Sequence, residues 1–583
     1  MALTVWTVWI FMLAAACFFV LRFGTNVPSW DDWDMVPTLT GEQPVTAFWL
    51  WSQHNEHRVP LPRLIMLALN KLTVVDFRVD MLFDALLLAA LAGGMILVAQ
   101  RLRGRLSYTD VFFPLIFLHW GQAANLLWGW QVQFVSSAML ACLVLLIIVQ
   151  TGHRFSPKAA ALWTGACLFL LSLCGANGIA LVPVLALWLI YVAVVHRPSG
   201  SRARSSNIAM VGFAVTALLL VGLYFVGYEK VPYHPTSPGV RASLSTSLKF
   251  LTIGFGPAAR VLWPLPGIAV LAVCVTTAWL LMRVWRNHPT ERDRAAGLLL
   301  FFAAMACLAL GIGLGRDGFE TRYVTLAIPF WCAVYYVVSL YGPPGFNMPS
   351  RALLLLIAVL ALWPNTTFGL AYARDLRDHL RAFERDMTAG MPTYRLIRQH
   401  QPYLHINQDV LTDYFPMLQQ AGIGRFGHLR PNPPLAEVAV PVVPTLMHQM
   451  TWHEQTGYAN GKDPYVIFTL PEEREVAGIR VRYSYANKEG TAPCRFIYWK
   501  RGDQKDFRDD QRSKYCPTGD HANWQSGTWL KAGHPHADTI AWIDDTIKDI
   551  KIYPDFKPGI FRLDDITLLV PSGTPSTTGV GTK

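Results

Sequence analysis

Residues 29–34 read SWDDWD, which sets Asp31, Asp32 and Asp34 around a tryptophan, directly after the first strongly apolar stretch of the chain. Carboxylates crowded near a low-dielectric region raise and split one another's pKa values. One of them can then act as a general base on a hydroxyl. The same oxygens could hold a divalent cation, or one could cap a helix and leave the others as a polar flank. Further on, SQHNEHRVP at 52–60 gathers His54, Glu56, His57 and Arg58. His54 and His57 could share a helical face and, with Asp31 and Asp34, supply metal ligands, although the spacing is weaker than HExxH and no metal is assigned. Hydrogen bonding of His54, Glu56 and His57 to a sugar or phosphate, with Arg58 as the phosphate partner, is the favoured use. A polar surface turn is the plainer one.

A third stretch, GRDGFETRY at 315–323, carries Arg316, Arg322 and Tyr323 in a short loop between two apolar runs. Arginines at the edge of hydrocarbon need an anionic partner. Their planar fork suits a phosphate, and pairing with Asp317 and Glu320 in the same loop is an equal alternative. Lys230, His234, Arg241 and Arg260, in the loop at 228–262, rank lower because a long loop is often simply solvated. The sequence has no P-loop, dinucleotide fingerprint or GxSxG motif.

The elements that must position these residues follow from composition. The chain has 583 residues, 52% hydrophobic and 15% charged, with 21 tryptophans. Soluble proteins carry about a quarter charged residues, and tryptophan favours membrane interfaces, so the chain reads as a polytopic α-helical membrane protein. Its formal charge of +11 belongs to short basic loops rather than to nucleic-acid binding. Apolar runs near 3–21, 80–100, 107–120, 127–150, 158–174, 178–195, 206–227, 263–284, 296–315, 322–341 and 351–369 predict eleven spans, two of them short. The first run lacks a basic flank and a clear cleavage site, so it reads as a retained span.

Loops at 100–105, 151–158, 196–206 and 283–294 are rich in Arg and Lys, whereas HWGQAANLLW and CGANG carry none. The positive-inside rule puts the basic set, the 341–351 loop and the N-terminus in the cytoplasm. The first loop (22–79), the 315–322 loop and everything after 369 then lie outside, with an extracytoplasmic C-terminal domain. Cys494 and Cys516, the only two of nine cysteines outside apolar stretches, predict one disulfide in an oxidising compartment. The first loop is long enough to hold one or two helices lying along the outer surface, and SLKFLTIGFGPAARVL reads as re-entrant or interfacial.

Domain boundaries follow: a transmembrane catalytic domain at 1–369, a helical, proline-rich connector at 370–433, a β-domain at 434–572 and a disordered tail at 573–583. Alternating stretches such as VRYSYA, CRFIYW and IKDIKIYP predict short strands of a β-sandwich or jelly roll. Trp499, Trp524 and Trp542 are candidate glycan contacts there, or parts of its core.

An acidic motif in the first outer loop, surface helices in that loop, about a dozen spans and an outer C-terminal domain resemble the GT-C superfamily of integral membrane glycosyltransferases. WDDWD, HNEHR and GRDGFETRY are similar to stretches in uncharacterised bacterial members, and the resemblance covers roughly 1–369. It implies transfer of a sugar from a polyprenyl-phosphate donor to a glycan or lipid-linked acceptor hydroxyl, within membrane lipids and with a divalent cation optional. A first-loop aspartate serves as base. Asp32 fits both acidic pairs and is preferred, with Asp31 close behind and Asp34 the third choice. Arg316, Arg322 and Arg58 hold the phosphate, and His54, Glu56, His57 and Tyr323 contact substrate. The alternatives are a transporter or flippase of lipid-linked sugars, which would need polar residues at mid-membrane depth, and an O-antigen polymerase or ligase.

Overall fold

The computed structural model describes residues 2–196, 201–228, 237–316, 318–461, 463–487, 495–515, 537–555 and 558–572. The expected pairing of Cys494 with Cys516, and Lys230, His234, Asp317 and Trp524, lie outside these residues. The chain divides into two compact units, Met1–Asn26 with Glu56–Arg377, and Val27–Asn55 with Asp378–Lys583.

The first unit is helical. Among the described residues, nine helices are long and apolar enough to cross a membrane, from Ala2–Phe23 to Pro344–Thr388. Two of the eleven expected spans take another form. The run at 158–174 becomes the 15-residue helix Pro157–Leu171. The run at 107–120 breaks into a 3-10 turn, the seven-residue helix Phe112–Leu118 and further short turns. It packs along a longer helix, Val324–Tyr341. Thr109 Oγ1 lies 2.8 Å from the Tyr335 hydroxyl, and Gln122 bonds Thr325. Thr325 and Tyr335 stand about 15 Å apart along one helix, so 109–122 runs beside that helix over roughly half of a ~30 Å hydrocarbon core.

The interruption has a local cause. A Cβ on Gly121 would lie 2.8 Å from His119 Nδ1 and Pro257 Cδ, and 2.9 Å from Asn365 Cβ, so the backbone approaches its neighbours as only glycine allows. Gln122 Nε2 donates to the Phe117 carbonyl at 2.6 Å, satisfying a group the broken helix leaves open. At the other end, Arg103 and the Tyr335 hydroxyl both bond the Asp110 carboxylate, at 2.6 and 2.7 Å.

The first loop does contain a surface-type helix. Pro60–Leu72 buries Pro62, Arg63, Met66, Leu67 and Asn70 along one side, while Leu64 and Leu72 stay exposed. The segment expected as re-entrant forms helix Val240–Thr252 followed by two 3-10 turns. Helix Pro344–Thr388 runs unbroken for 45 residues through position 369.

In the second unit, helices Thr393–Leu404 and Gln408–Gln420 precede an antiparallel sheet with nine strands among the described residues. These are β1 (Leu435–Val440), β2 (Leu446–His448), β3 (Met450–His453), β4 (Thr456–Ala459), β5 (Tyr465–Asn487), β6 (Arg495–Lys500), β7 (Arg512–Tyr515), β8 (Ala537–Tyr553) and β9 (Gly559–Pro571). The spatial order is β3-β4-β9-β5-β8-β6-β7, with β1 on β9 and β2 on β5. Register shifts in β5 at Thr469/Arg474 and Val476/Gly478 are where so long a strand bends. Period-two burial puts Val466, Phe468, Ile497, Trp499, Ile550 and Ile552 into one core. Trp499 is therefore a core residue, not an open glycan contact. Trp542 is buried too, its indole N–H donating to Thr412 Oγ1 at 2.9 Å.

Candidate active site

The acidic motif forms a 3-10 turn, Trp30–Met35, and belongs to the second unit. Trp33 anchors it. The ring is fully buried, lies 5.6 Å from Phe415 and 6.0 Å from Phe426, and donates to the Leu404 carbonyl at 3.1 Å. This one hydrophobic residue in a run of carboxylates fixes the turn against two connector helices.

The three aspartates then diverge. Asp32 is buried, and its Oδ2 accepts the Ser29 backbone N–H at 3.2 Å, a helix-start contact. Asp34 is buried and its Oδ2 meets His54 Nδ1. Asp31 lies 3.4 Å from His54 Nε2 and keeps 24% of its side chain exposed. A neutral imidazole offers one N–H and one lone pair, so only the doubly protonated ring satisfies a carboxylate at each nitrogen. Burial works against that charge, but Asp34 and Asp31 outweigh it and raise the His54 pKa to about 10. The Asn55 amide nitrogen also lies 2.9 Å from His54 Nε2, so the cluster is a buried imidazole between two carboxylates and a side-chain amide, with one carboxylate reaching solvent.

His405 completes the surroundings. It is buried, and its Nδ1 accepts the Asn407 N–H at 3.0 Å. Burial lowers its pKa, against the pull of Asp34. Nothing in its sequence context, LHIN, singles it out, because its neighbourhood is made by chain segments far from 29–34.

The remaining candidates sit in the first unit. Arg316 forms a forked pair with Glu56, Nη1–Oε1 3.2 Å and Nη2–Oε2 3.0 Å. Burial opposes its charge, but Glu56 and Tyr323 hold its pKa above the ordinary arginine value. Arg316 and Tyr323 line a small pocket with Thr246, Lys249 and Glu320. Arg322 lies 3.8 Å from Glu320, the pairing weighed as one use of that loop. His57 Nδ1 accepts the Ala176 N–H at 3.3 Å. Arg58 is buried and bonds the Tyr224 and Val226 carbonyls, at 3.0 and 2.9 Å, where it tethers the end of helix Ser201–Tyr224. Lys249, which the sequence reading passed over, points its ammonium over the Trp263 and Phe319 rings at 5.8 and 5.6 Å.

The structure thus joins Asp31, Asp34 and His54 in one cluster, and Glu56, Arg316 and Tyr323 in another. It gives Asp32, His57 and Arg58 separate backbone contacts. Among the described residues, no group of three or more His, Cys, Asp or Glu has the arrangement of a metal site.

No family model matches the sequence, and no curated protein does. Among solved structures, the chain is similar to ArnT from Cupriavidus metallidurans bound to undecaprenyl phosphate (15% identity, 78% of this chain, 97% of that chain, TM-score 0.40). It is also similar to the Archaeoglobus fulgidus oligosaccharyltransferase in complex with Zn and sulfate (13%, 67% and 55%, TM-score 0.35). A third likeness is to the arabinofuranosyltransferase AftD from Mycobacteria (12%, 97% and 58%, TM-score 0.29). With every TM-score below 0.5, no residue role is carried over from them, and the functional reading rests on this chain's own residues.

Proposed function

We propose that this protein is a membrane glycosyltransferase that moves a sugar from a polyprenyl-phosphate donor to a hydroxyl of an extracytoplasmic glycan or lipid-linked acceptor. The observation that carries the reading is the Asp31–His54–Asp34 cluster. Both carboxylates meet the same imidazole, and only Asp31 combines that contact with exposure to solvent. Asp31 is therefore the base. It takes the acceptor proton as the acceptor oxygen bonds the anomeric carbon and the phosphate leaves with the bonding pair. A phosphate leaves as a stabilised anion and needs no acid, so one base suffices, unlike the paired carboxylates of glycoside hydrolysis.

Arg316 and Arg322 take the donor phosphate, with Tyr323 beside them, and fixed positive charge of this kind stabilises the leaving group. The Glu56 pair holds the Arg316 fork in place until phosphate competes for it. His54 of one cluster and Glu56 of the other are separated in sequence by Asn55 alone. Asp32 shapes the turn, and Asp34 with His54 positions Asp31. In this reading the N-terminus is cytoplasmic and the second unit periplasmic.

The test is sugar transfer from polyprenyl-phosphate donors by purified protein. Asp31→Asn loses about 10²–10⁴-fold in kcat, whereas Asp32→Asn loses stability before activity. Wild-type turnover in Asp31→Asn would remove the assigned base.

A transporter of lipid-linked sugars has one observation in its favour. His119 and Gln122 of the interrupted run, Asn125 and Gln131 of the short turns after it, and Gln133 and Ser136 at the start of the next apolar helix are all buried, and polar residues at membrane depth mark pathways. Transbilayer movement of labelled lipid in proteoliposomes, without glycan formation, would favour that reading.

A further inference from the structure

The face of the sheet turned away from its core carries aromatic rings where an antiparallel sheet ordinarily shows polar residues to water. Tyr465 of β5, Tyr498 of β6, and Lys551 and Tyr553 of β8 alternate with the core residues Val466, Ile497, Ile550 and Ile552. Cross-strand register sets His448 of β2 opposite Tyr465, and Tyr498 opposite Lys551. The rings form a continuous ladder, with centroids 4.8 Å apart for His448–Tyr465, 5.2 Å for Tyr465–Tyr553 and 5.8 Å for Tyr498–Tyr553. All of these residues are partly exposed. Strands lie about 4.8 Å apart, so a ladder over four adjacent strands is roughly 15 Å long.

The Lys551 ammonium sits in the middle of the ladder. It lies 4.5 Å from the Tyr498 ring, 4.6 Å from Phe507 and 5.2 Å from both Tyr465 and Tyr553. Cation–π attraction holds it there. Asp463 and Asp509 act on it through space, so the patch carries both signs of charge and favours an uncharged occupant. The rings are phenols and an imidazole rather than the leucines and methionines that a protein partner would bury. They offer flat apolar faces and hydroxyls at their edges, beside the Lys551 ammonium and the Arg512 guanidinium, whose Nη1 donates to the Tyr498 hydroxyl at 3.2 Å.

We propose that this ladder binds a neutral glycan chain. The C–H faces of its sugars lie on Tyr465, Tyr498 and Tyr553, and its hydroxyls accept from Lys551. The inference does not depend on the transfer reaction proposed above, since binding is read without any donor.

The experiment is affinity electrophoresis of the full chain in detergent micelles, through native gels containing dextran, mannan or arabinogalactan, with polygalacturonate as the acidic control. At least one neutral polysaccharide retards the wild type. Tyr498→Ala and Tyr553→Ala each weaken that retardation by about tenfold or more, the value of one stacked ring. Tyr553→Phe, which keeps the face, stays close to wild type, and Lys551→Met, which keeps the aliphatic stem, weakens it. Should the alanine variants fail to fold by thermal unfolding, Lys551→Met decides. No retardation by any neutral polysaccharide overturns the proposal. So does stronger retardation by polygalacturonate, or retardation of folded alanine or Lys551→Met variants equal to wild type.

Discussion

His54→Gln is the most informative single change. In the folded chain the His54 imidazole titrates at about 10, against an ordinary value of 6.5. At about 1.4 kcal/mol per pH unit, that rise corresponds to roughly 5 kcal/mol of stability. Because the folded value is raised, the contribution is complete below pH 6.5 and is lost as pH climbs towards 10. Deleting one partner of a buried ion pair independently suggests about 3–5 kcal/mol, most of it from the carboxylate left behind. The assay is thermal unfolding of the detergent-solubilised protein at a fixed scan rate, followed by tryptophan fluorescence from pH 6 to 10. The wild-type midpoint falls steadily between pH 7 and 10. At pH 7, His54→Gln unfolds on the order of 10 °C lower, and its midpoint is flat over the range where the wild type slopes. Adding Asp34→Asn to His54→Gln recovers part of the loss, because the double variant no longer buries an uncompensated charge. A wild-type midpoint that does not change between pH 7 and 9.5 would refute the clamped imidazolium. A double variant whose loss is the simple sum of the two single losses would refute it equally.

Trp33→Ala costs about 3–5 kcal/mol in the same assay, and loss of transfer activity accompanies loss of the turn; a stable, fully active variant would show that Trp33 does not anchor the motif. Arg58→Met removes two charge-assisted bonds to the Tyr224 and Val226 carbonyls and costs about 1.5–3 kcal/mol. A raised donor KM at unchanged stability would instead put Arg58 on the phosphate. Arg316→Lys breaks the planar fork and raises the donor KM several-fold with kcat nearly kept; an unchanged KM contradicts its phosphate role. Burial and the nearby Asp409 raise the Asp413 carboxyl to about 7. Its raised value costs stability that builds up as pH rises from about 4 to 7 and is complete above 7, so Asp413→Asn unfolds at higher temperature than wild type at pH 8. That gain vanishes below about pH 4, and a variant no more stable at pH 8 contradicts it.

Much of the architecture was legible along the chain. Runs of apolar residues announce helices because a span needs about 20 of them, and nine of the eleven expected spans have that length. The 107–120 run did not: its helix stops at Leu118, where His119 turns extended, and Gly121 then packs too closely for a side chain. Alternation in the C-terminal region identified strands through the two-residue period of side-chain direction. It could not say which face is core. The indole of Trp499 went inward with Ile497, while Tyr498 between them turned out onto the ladder.

The residues of the candidate site were visible for the same reason. Three carboxylates, two histidines and several arginines beside apolar runs are conspicuous in any sequence, since charge is costly near hydrocarbon. Their roles were not. Asp32 was preferred because it fits both acidic pairs, yet it bonds the Ser29 N–H, while Asp31 shares His54 with Asp34. Arg58, read as a phosphate partner, bonds two carbonyls, and Arg316 meets Glu56 across 260 positions. Sequence alone determined which chemistry is available and that it lies next to a membrane, because residue type and local hydropathy are properties of short segments. Tertiary structure decided which carboxylate keeps solvent exposure, which meets His54 in the interior and which accepts a backbone N–H at the start of the turn, because a side chain's burial and partners are set by segments distant in sequence.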